Sequence, residues 1–160
     1  MPSAENESTG TASMIGERVS IDTNILVYAI DRDAGERHER AADLLDRAVE
    51  WDCVLPLQAL CEFFAAVTRK GKMPVEEAAA QVRDWQILFP VVTADTHALR
   101  RAMNAVADHT MSFWDALLWA TVRKAGATVL FTEDVQHRRE LDGVRFVNPF
   151  AEPPEGAPRW

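Results

Sequence analysis

Cysteine is scarce in this chain: Cys53 and Cys61 are the only two among 160 residues. Both fall in apolar surroundings, with no Cys-x-x-Cys and no paired histidines at ligand spacing, which argues against a disulfide framework and a structural zinc site. Both are expected to be small core residues. Positive charge is also in short supply. Seventeen Lys and Arg stand against 25 Asp and Glu, a formal net charge of −8, which taken alone argues against a broad basic face that grips nucleic acid. An enzyme that meets phosphates through a bound cation is not excluded, because the ion supplies the positive charge locally. Apolar runs of about 18 or more residues are absent. The polar start "MPSAENESTGTASMIGER" lacks the basic, apolar and small-residue segments of a signal peptide. A cytoplasmic protein without membrane contact is the expectation. The 7 glycines never form G-x-G-x-x-G, and Gly71-Lys72 is followed by Met73, so neither a dinucleotide fold nor a P-loop is indicated. There is no G-x-S-x-G, and His38, His97, His109 and His137 lie in polar contexts, which leaves a Ser-His-Asp triad unsupported.

What is present has a regular order. Residues 1–17, rich in Ser, Thr, Glu and Gly, read as a disordered leader, 18–150 as one domain, and 151–160 as a Pro-rich tail. Within the domain, short apolar runs alternate with helical patterns. "RVSIDTN" is a strand that leads into a helix from "NILVYAIDR". "GERHERAADLLDRAVE" places Ala41, Leu44, Leu45, Ala48 and Val49 on one helical stripe. "DCVLP" is a strand, Leu57–Arg69 a helix ending near Gly71, and "PVEEAAAQVRDWQIL" a helix with Val75, Val82 and Trp85 near one face. "FPVVTAD" precedes a helix through Ala98 to Val106. "SFWDALLWATVRKAG", "ATVLFTED" and "VRFVNPF" then supply a helix and two strands. Repeated strand-then-helix order predicts an α/β fold, a three-layer α/β/α arrangement around a mainly parallel sheet.

Open sheets of this kind place sites at the carboxyl ends of their strands. Asp22 closes the first strand, and Glu133 and Asp134 follow "TVLFT". Two further acids stand in apolar helices, Glu62 in "LCEFF" and Asp115 in "SFWDALL". Each has a plain structural reading. Asp22 can cap the helix at Thr23-Asn24, Asp115 can close a capping box with Ser112, and Asp134 can cap "VQHRREL". Glu62 caps nothing, and its plain reading is an exposed rim shared with Gln58, four residues earlier. Converging at one pole without a lysine or arginine among them, the four carboxylates would repel one another unless divalent cations lay between them. Oxygen donors select Mg²⁺ or Mn²⁺ over zinc, and on this reading Glu62 is buried because it faces the ion.

Four stretches, "IDTNILVYA", "LCEFFAAVTRKGK", "SFWDALLWATVRKAGATVLFTEDVQ" and "GVRFVNPF", in this order and spacing, resemble the PIN-domain proteins. Within that family they resemble the VapC-type toxin ribonucleases of type II toxin–antitoxin systems. The resemblance covers nearly all of the chain except the leader and tail. It implies that Asp22, Glu62, Asp115 and Asp134 are the catalytic and metal-holding acids, with Asn24 and Thr132 as polar neighbours that orient ligands or phosphate. It further implies metal-dependent hydrolysis of RNA phosphodiesters, a cognate VapB-like antitoxin that offers an arginine to the acids, and a homodimer. Helices Glu36–Trp51 and Leu57–Arg69 are the expected walls of the antitoxin groove. Trp85, Trp114 and Trp119 are expected in the core or a dimer contact, not as base-stacking platforms. Two rivals remain at this stage: a catalytically inactive PIN-like binding module, and an acidic-pocket phosphotransfer or phosphatase domain.

Overall fold

The computed structural model describes Met14 and residues 16–156, apart from 70, 109 and 154. Most of the expected leader, 1–17, and residues 157–160 of the expected tail lie outside the described residues. Of the leader, Met14 joins the core at 7% exposure, and Glu17 pairs with Arg145 at 3.1 Å. At the other end, the buried Arg40 donates to the Phe150 carbonyl at 3.1 Å and to Glu152 at 2.7 Å, which fastens the chain end onto the second helix.

The first strand, β1 (Arg18–Ile21), has Val19 and Ile21 at 0% exposure, as expected of a strand covered on both faces. Its polar residue is satisfied, because Ser20 Oγ donates to the Val54 carbonyl at 2.8 Å. Asp22 ends the strand and caps α1 (Thr23–Ile30). A single 3-10 turn, Arg32–Ala34, leads to α2 (Glu36–Ala48). Ala41, Leu44, Leu45 and Ala48 are buried there as the spacing predicts, whereas Val49 lies past the helix end and is 46% exposed. Next come β2 (Asp52–Pro56), α3 (Leu57–Arg69) and α4 (Val75–Leu88). In α4 the buried residues are Ala78 and Trp85, while Val75, at the first turn, is exposed. Then follow β3 (Val91–Val92), α5 (Thr96–Ala107), α6 (Phe113–Lys124) and β4 (Val129–Phe131). The last strands are β5 (Glu140–Leu141), which the sequence pattern did not signal, and β6 (Val144–Val147).

The 6-stranded sheet has the order β3-β2-β1-β4-β6-β5, parallel throughout except for the β5–β6 pair. Helices flank it, α1 packing on α2 and α3, α3 on α4, and α5 on α6. The chain leaves β1 toward β2 and β3, then returns to lay β4 on the other side of β1. The reversal opens a crevice beyond the carboxyl ends of β1 and β4, the place where doubly wound sheets bind ligands. Cys53 is buried on β2, as expected, but Cys61 is exposed, because α3 turns Ala59, Leu60, Phe63 and Val67 inward and position 61 away.

Candidate metal centre

The crevice is built from the backbone outward. The Asp22 N–H donates to the Phe131 carbonyl at 2.9 Å, and the Thr132 N–H donates to that of Val147 at 2.9 Å, so the residues just past β1 and β4 stay in register. One Asp22 oxygen accepts from the Thr23 N–H at 2.6 Å and the other from Thr132 Oγ at 2.8 Å. The capping role and the site position therefore coincide in one side chain. Thr132 Oγ also accepts the Asp134 N–H at 3.2 Å, and Asn24 Nδ2 donates to an Asp134 carboxylate oxygen at 3.0 Å. Asp134 caps no helix. Residues 133–139 form bends and turns, correcting the capping reading of "VQHRREL". Asp115 sits in the first turn of α6 and accepts from Ser112 Oγ, but the Ser112 side chain makes no capping bond in return.

One carboxylate oxygen each from Asp22, Asp115 and Asp134 lies within 4.8 Å of the other two, the first buried, the second partly buried, the third exposed. Opposed oxygens around Mg²⁺ stand about 4.2 Å apart, twice a bond of about 2.1 Å, so this spacing suits one hard cation. No histidine or cysteine joins the cluster among the described residues. Nor does a lysine or arginine among them pair with any of the four acids. The electrostatic consequence shows in the ionisation. Burial, with smaller help from Asp134 and Asp115, pushes the Asp22 carboxyl up to about 6, against the pull of its two hydrogen bonds. Asp134 is likewise raised, by burial first and then by Asp115, Glu133 and Glu62. The donor set is hard, anionic and uncompensated, which fits a divalent cation.

Glu62 departs from the expectation that it is buried against an ion. It is exposed on the rim, its oxygens accepting from Gln58 Nε2 at 2.8 Å and Thr23 Oγ at 3.2 Å. The helical register explains this, since the buried face of α3 runs through Ala59, Phe63 and Val67, with Gln58 and Glu62 together beside it. Gln58 also donates to the Trp114 carbonyl at 3.1 Å, tying α3 to the start of α6. Trp85 and Trp119 are core residues, as expected, but Trp114 is 62% exposed next to Asp115. Sequence reasoning passed over Arg37, which pairs with Glu133 beside Asp134. Its only sequence signal is a cation in the first turn of a helix that follows the site's own helix.

A doubly wound sheet with an acidic cluster at its strand reversal defines the class of the protein. The PIN domain family matches residues 19–140, and the chain belongs to that family. Solved structures share the fold at low identity. A toxin–antitoxin complex from Klebsiella pneumoniae is 19% identical, with a TM-score of 0.59 over 82% of this chain and 98% of the other. VapBC2 from Rickettsia felis, bound to a DNA fragment from its promoter, is 12% identical, with a TM-score of 0.60 over 81% and 96%. Mycobacterium tuberculosis VapC20, a sarcin-ricin loop cleaving toxin, is 18% identical, with a TM-score of 0.56 over 70% and 86%. No curated protein matches the chain. No helix among the described residues is long and apolar enough to cross a membrane.

Proposed function

We propose that this protein is a Mg²⁺- or Mn²⁺-dependent endoribonuclease of the VapC kind, held in check by a cognate antitoxin. The observation that carries the reading is the convergence of Asp22, Asp115 and Asp134 at the strand reversal with no lysine or arginine paired to them among the described residues. Membership of the PIN family supports it, as do structural neighbours that include a sarcin-ricin loop cleaving toxin and a toxin–antitoxin complex.

Asp22, Asp115 and Asp134 would hold the ion, which when bound would supply Lewis acidity toward a water and the phosphoryl oxygens. Thr132 and the Thr23 N–H lock the orientation of Asp22, and Asn24 that of Asp134. Glu62 stands outside the cluster, fixed by Thr23 and Gln58, and is placed to hold a water and accept its proton. In the hydrolysis, the water oxygen bonds to phosphorus as the bond to the leaving oxygen breaks, one water proton passes to the Glu62 carboxylate, and the leaving oxygen takes the electron pair of the broken bond and a proton from solvent. The same unbalanced acids suit an arginine from an antitoxin, whose guanidinium can pair with a carboxylate through two hydrogen bonds. The surface of α2 and α3, which both pack on α1, is the proposed seat of that partner. A second copy of the chain is proposed to cover Leu99, Met103 and Val106, which share one face of α5 at 40%, 49% and 37% exposure.

The decisive experiment is cleavage of a structured RNA pool with Mn²⁺ or Mg²⁺, with and without EDTA, alongside Asp22→Asn. Cleavage that requires both metal and Asp22 is expected. Equal cleavage by the variant, or in EDTA, would refute the reading.

A further inference from the structure

An RNA strand that approaches this pole meets a protein of net charge −8. An ion at the acidic cluster answers one phosphate, and the phosphates beside it need another source of positive charge. Arg37, in the first turn of α2, brings such a charge to the edge of the site. It pairs through Nη1 with Glu133, whose neighbours in the chain are Thr132 and Asp134. Its guanidinium carbon lies 5.2 Å from the Tyr28 ring centroid and 4.9 Å from that of Phe150. The two rings meet edge to face at 5.2 Å. Phe150 is itself held by the buried Arg40, which donates to its carbonyl. The guanidinium is thus positioned by an anion and by two rings before any ligand arrives.

Both of its hydrogen bonds, to Glu133 and to the Tyr28 hydroxyl at 3.4 Å, use Nη1. Among the described residues the Nε–Nη2 edge has no partner, and the side chain is 48% exposed. That edge is the fork that matches two oxygens of one phosphate. The Arg37 end of the ion pair is half exposed, which limits what the pair adds to stability, so the arrangement is better explained by orientation than by folding. We propose that the Nε–Nη2 edge of Arg37 binds an RNA backbone phosphate adjacent to the one at the acidic cluster, making Arg37 a positioning residue for the substrate. The inference rests on the nuclease reading above.

The test uses the full chain in two assays. Binding of a fluorescein-labelled single-stranded RNA is followed by anisotropy in MnCl₂ across a KCl series, with Asp115→Asn as the common background that slows cleavage and a gel at the end of each titration to check that the RNA is whole. Cleavage is followed separately in the Asp115 protein. Arg37→Gln is expected to weaken binding about tenfold, the loss of one charge-assisted contact. It should also make the slope of log K against log salt shallower by about 0.7, the signature of one phosphate contact fewer. In cleavage the loss should fall on KM more than on kcat. Arg37→Lys keeps the charge without the fork and should retain the slope with part of the affinity. Glu133→Gln keeps the cation and removes its anionic partner, so binding should hold or tighten. An unchanged salt slope in Arg37→Gln, or equal weakening by Glu133→Gln, would overturn the inference and leave the edge to a carboxylate partner. If the unsubstituted protein binds RNA in an Arg37-dependent way but never cleaves it, the nuclease reading alone fails.

Discussion

Replacing Asp22 by Asn should stabilise the metal-free protein at neutral pH. Asp22 is 8% exposed, and burial with two acidic neighbours raises its carboxyl from 3.8 to about 6. A carboxyl with a raised folded-state pKa keeps its proton longer in the folded chain than in the unfolded one. Between about pH 4 and 6 the folded state therefore binds more protons, and stability falls as pH rises through that window. Moving the carboxyl from 3.8 to about 6 corresponds to a cost of roughly 3 kcal/mol at pH 7 and above. Asparagine is uncharged and nearly isosteric. Its carbonyl can accept from the Thr23 N–H and its amide can donate to Thr132 Oγ, so the local geometry survives. The variant should melt about 6–12 °C higher than the unsubstituted protein at pH 8 in EDTA, at about 2–4 °C per kcal/mol for a chain of this size. Near pH 4 the two should converge. Added Mn²⁺ should raise the melting temperature of the unsubstituted protein and leave Asp22→Asn nearly unmoved. Thermal melts from pH 4 to 8, with and without Mn²⁺, test all of this. A variant less stable than the parent at pH 8, or a difference that does not change with pH, would refute the electrostatic argument.

Asp115→Asn and Glu62→Gln should each lower RNA cleavage by at least about tenfold, the first by weakening Mn²⁺ binding and the second by removing the proton acceptor; initial rates across a Mn²⁺ titration separate the two. Phe63 is fully buried with its ring 4.7 Å from that of Trp85, so Phe63→Ala should cost about 3–5 kcal/mol in urea unfolding. The paired change Leu99→Glu with Met103→Glu should turn a homodimer into a monomer while leaving the melting temperature within a few degrees, as light scattering after gel filtration would show. A particle of unchanged mass would move the self-association surface elsewhere.

Much of the fold was legible in the order of the elements. Alternating strand and helix patterns predicted the parallel sheet, and the apolar spacing of α2 predicted most of what it buries. The short β5 escaped notice because two residues carry no periodicity, and its partner β6 defines it only through antiparallel pairing. The acids were visible for a comparable reason. A carboxylate in an apolar run departs from the local pattern, so Asp22, Glu62 and Asp115 stood out individually. Arg37 and Arg40 did not, since a basic residue on the polar face of a helix looks ordinary whether it faces water, Glu133 or the chain end.

The division between the two levels follows from what each encodes. The amino-acid sequence by itself determined the alternation of elements, the cap at Asp22 and the supply of acids near the carboxyl ends of β1 and β4, all set by local propensity and spacing. Only the tertiary structure decided that Asp22, Asp115 and Asp134 meet while Glu62 stays on the rim, and that Trp114 and Cys61 face outward. Spacing along a helix tells which residues share a face. Which face meets a neighbour depends on the packing of α1, α3 and α6 around the β1–β4 reversal, a set of contacts between residues far apart in the chain.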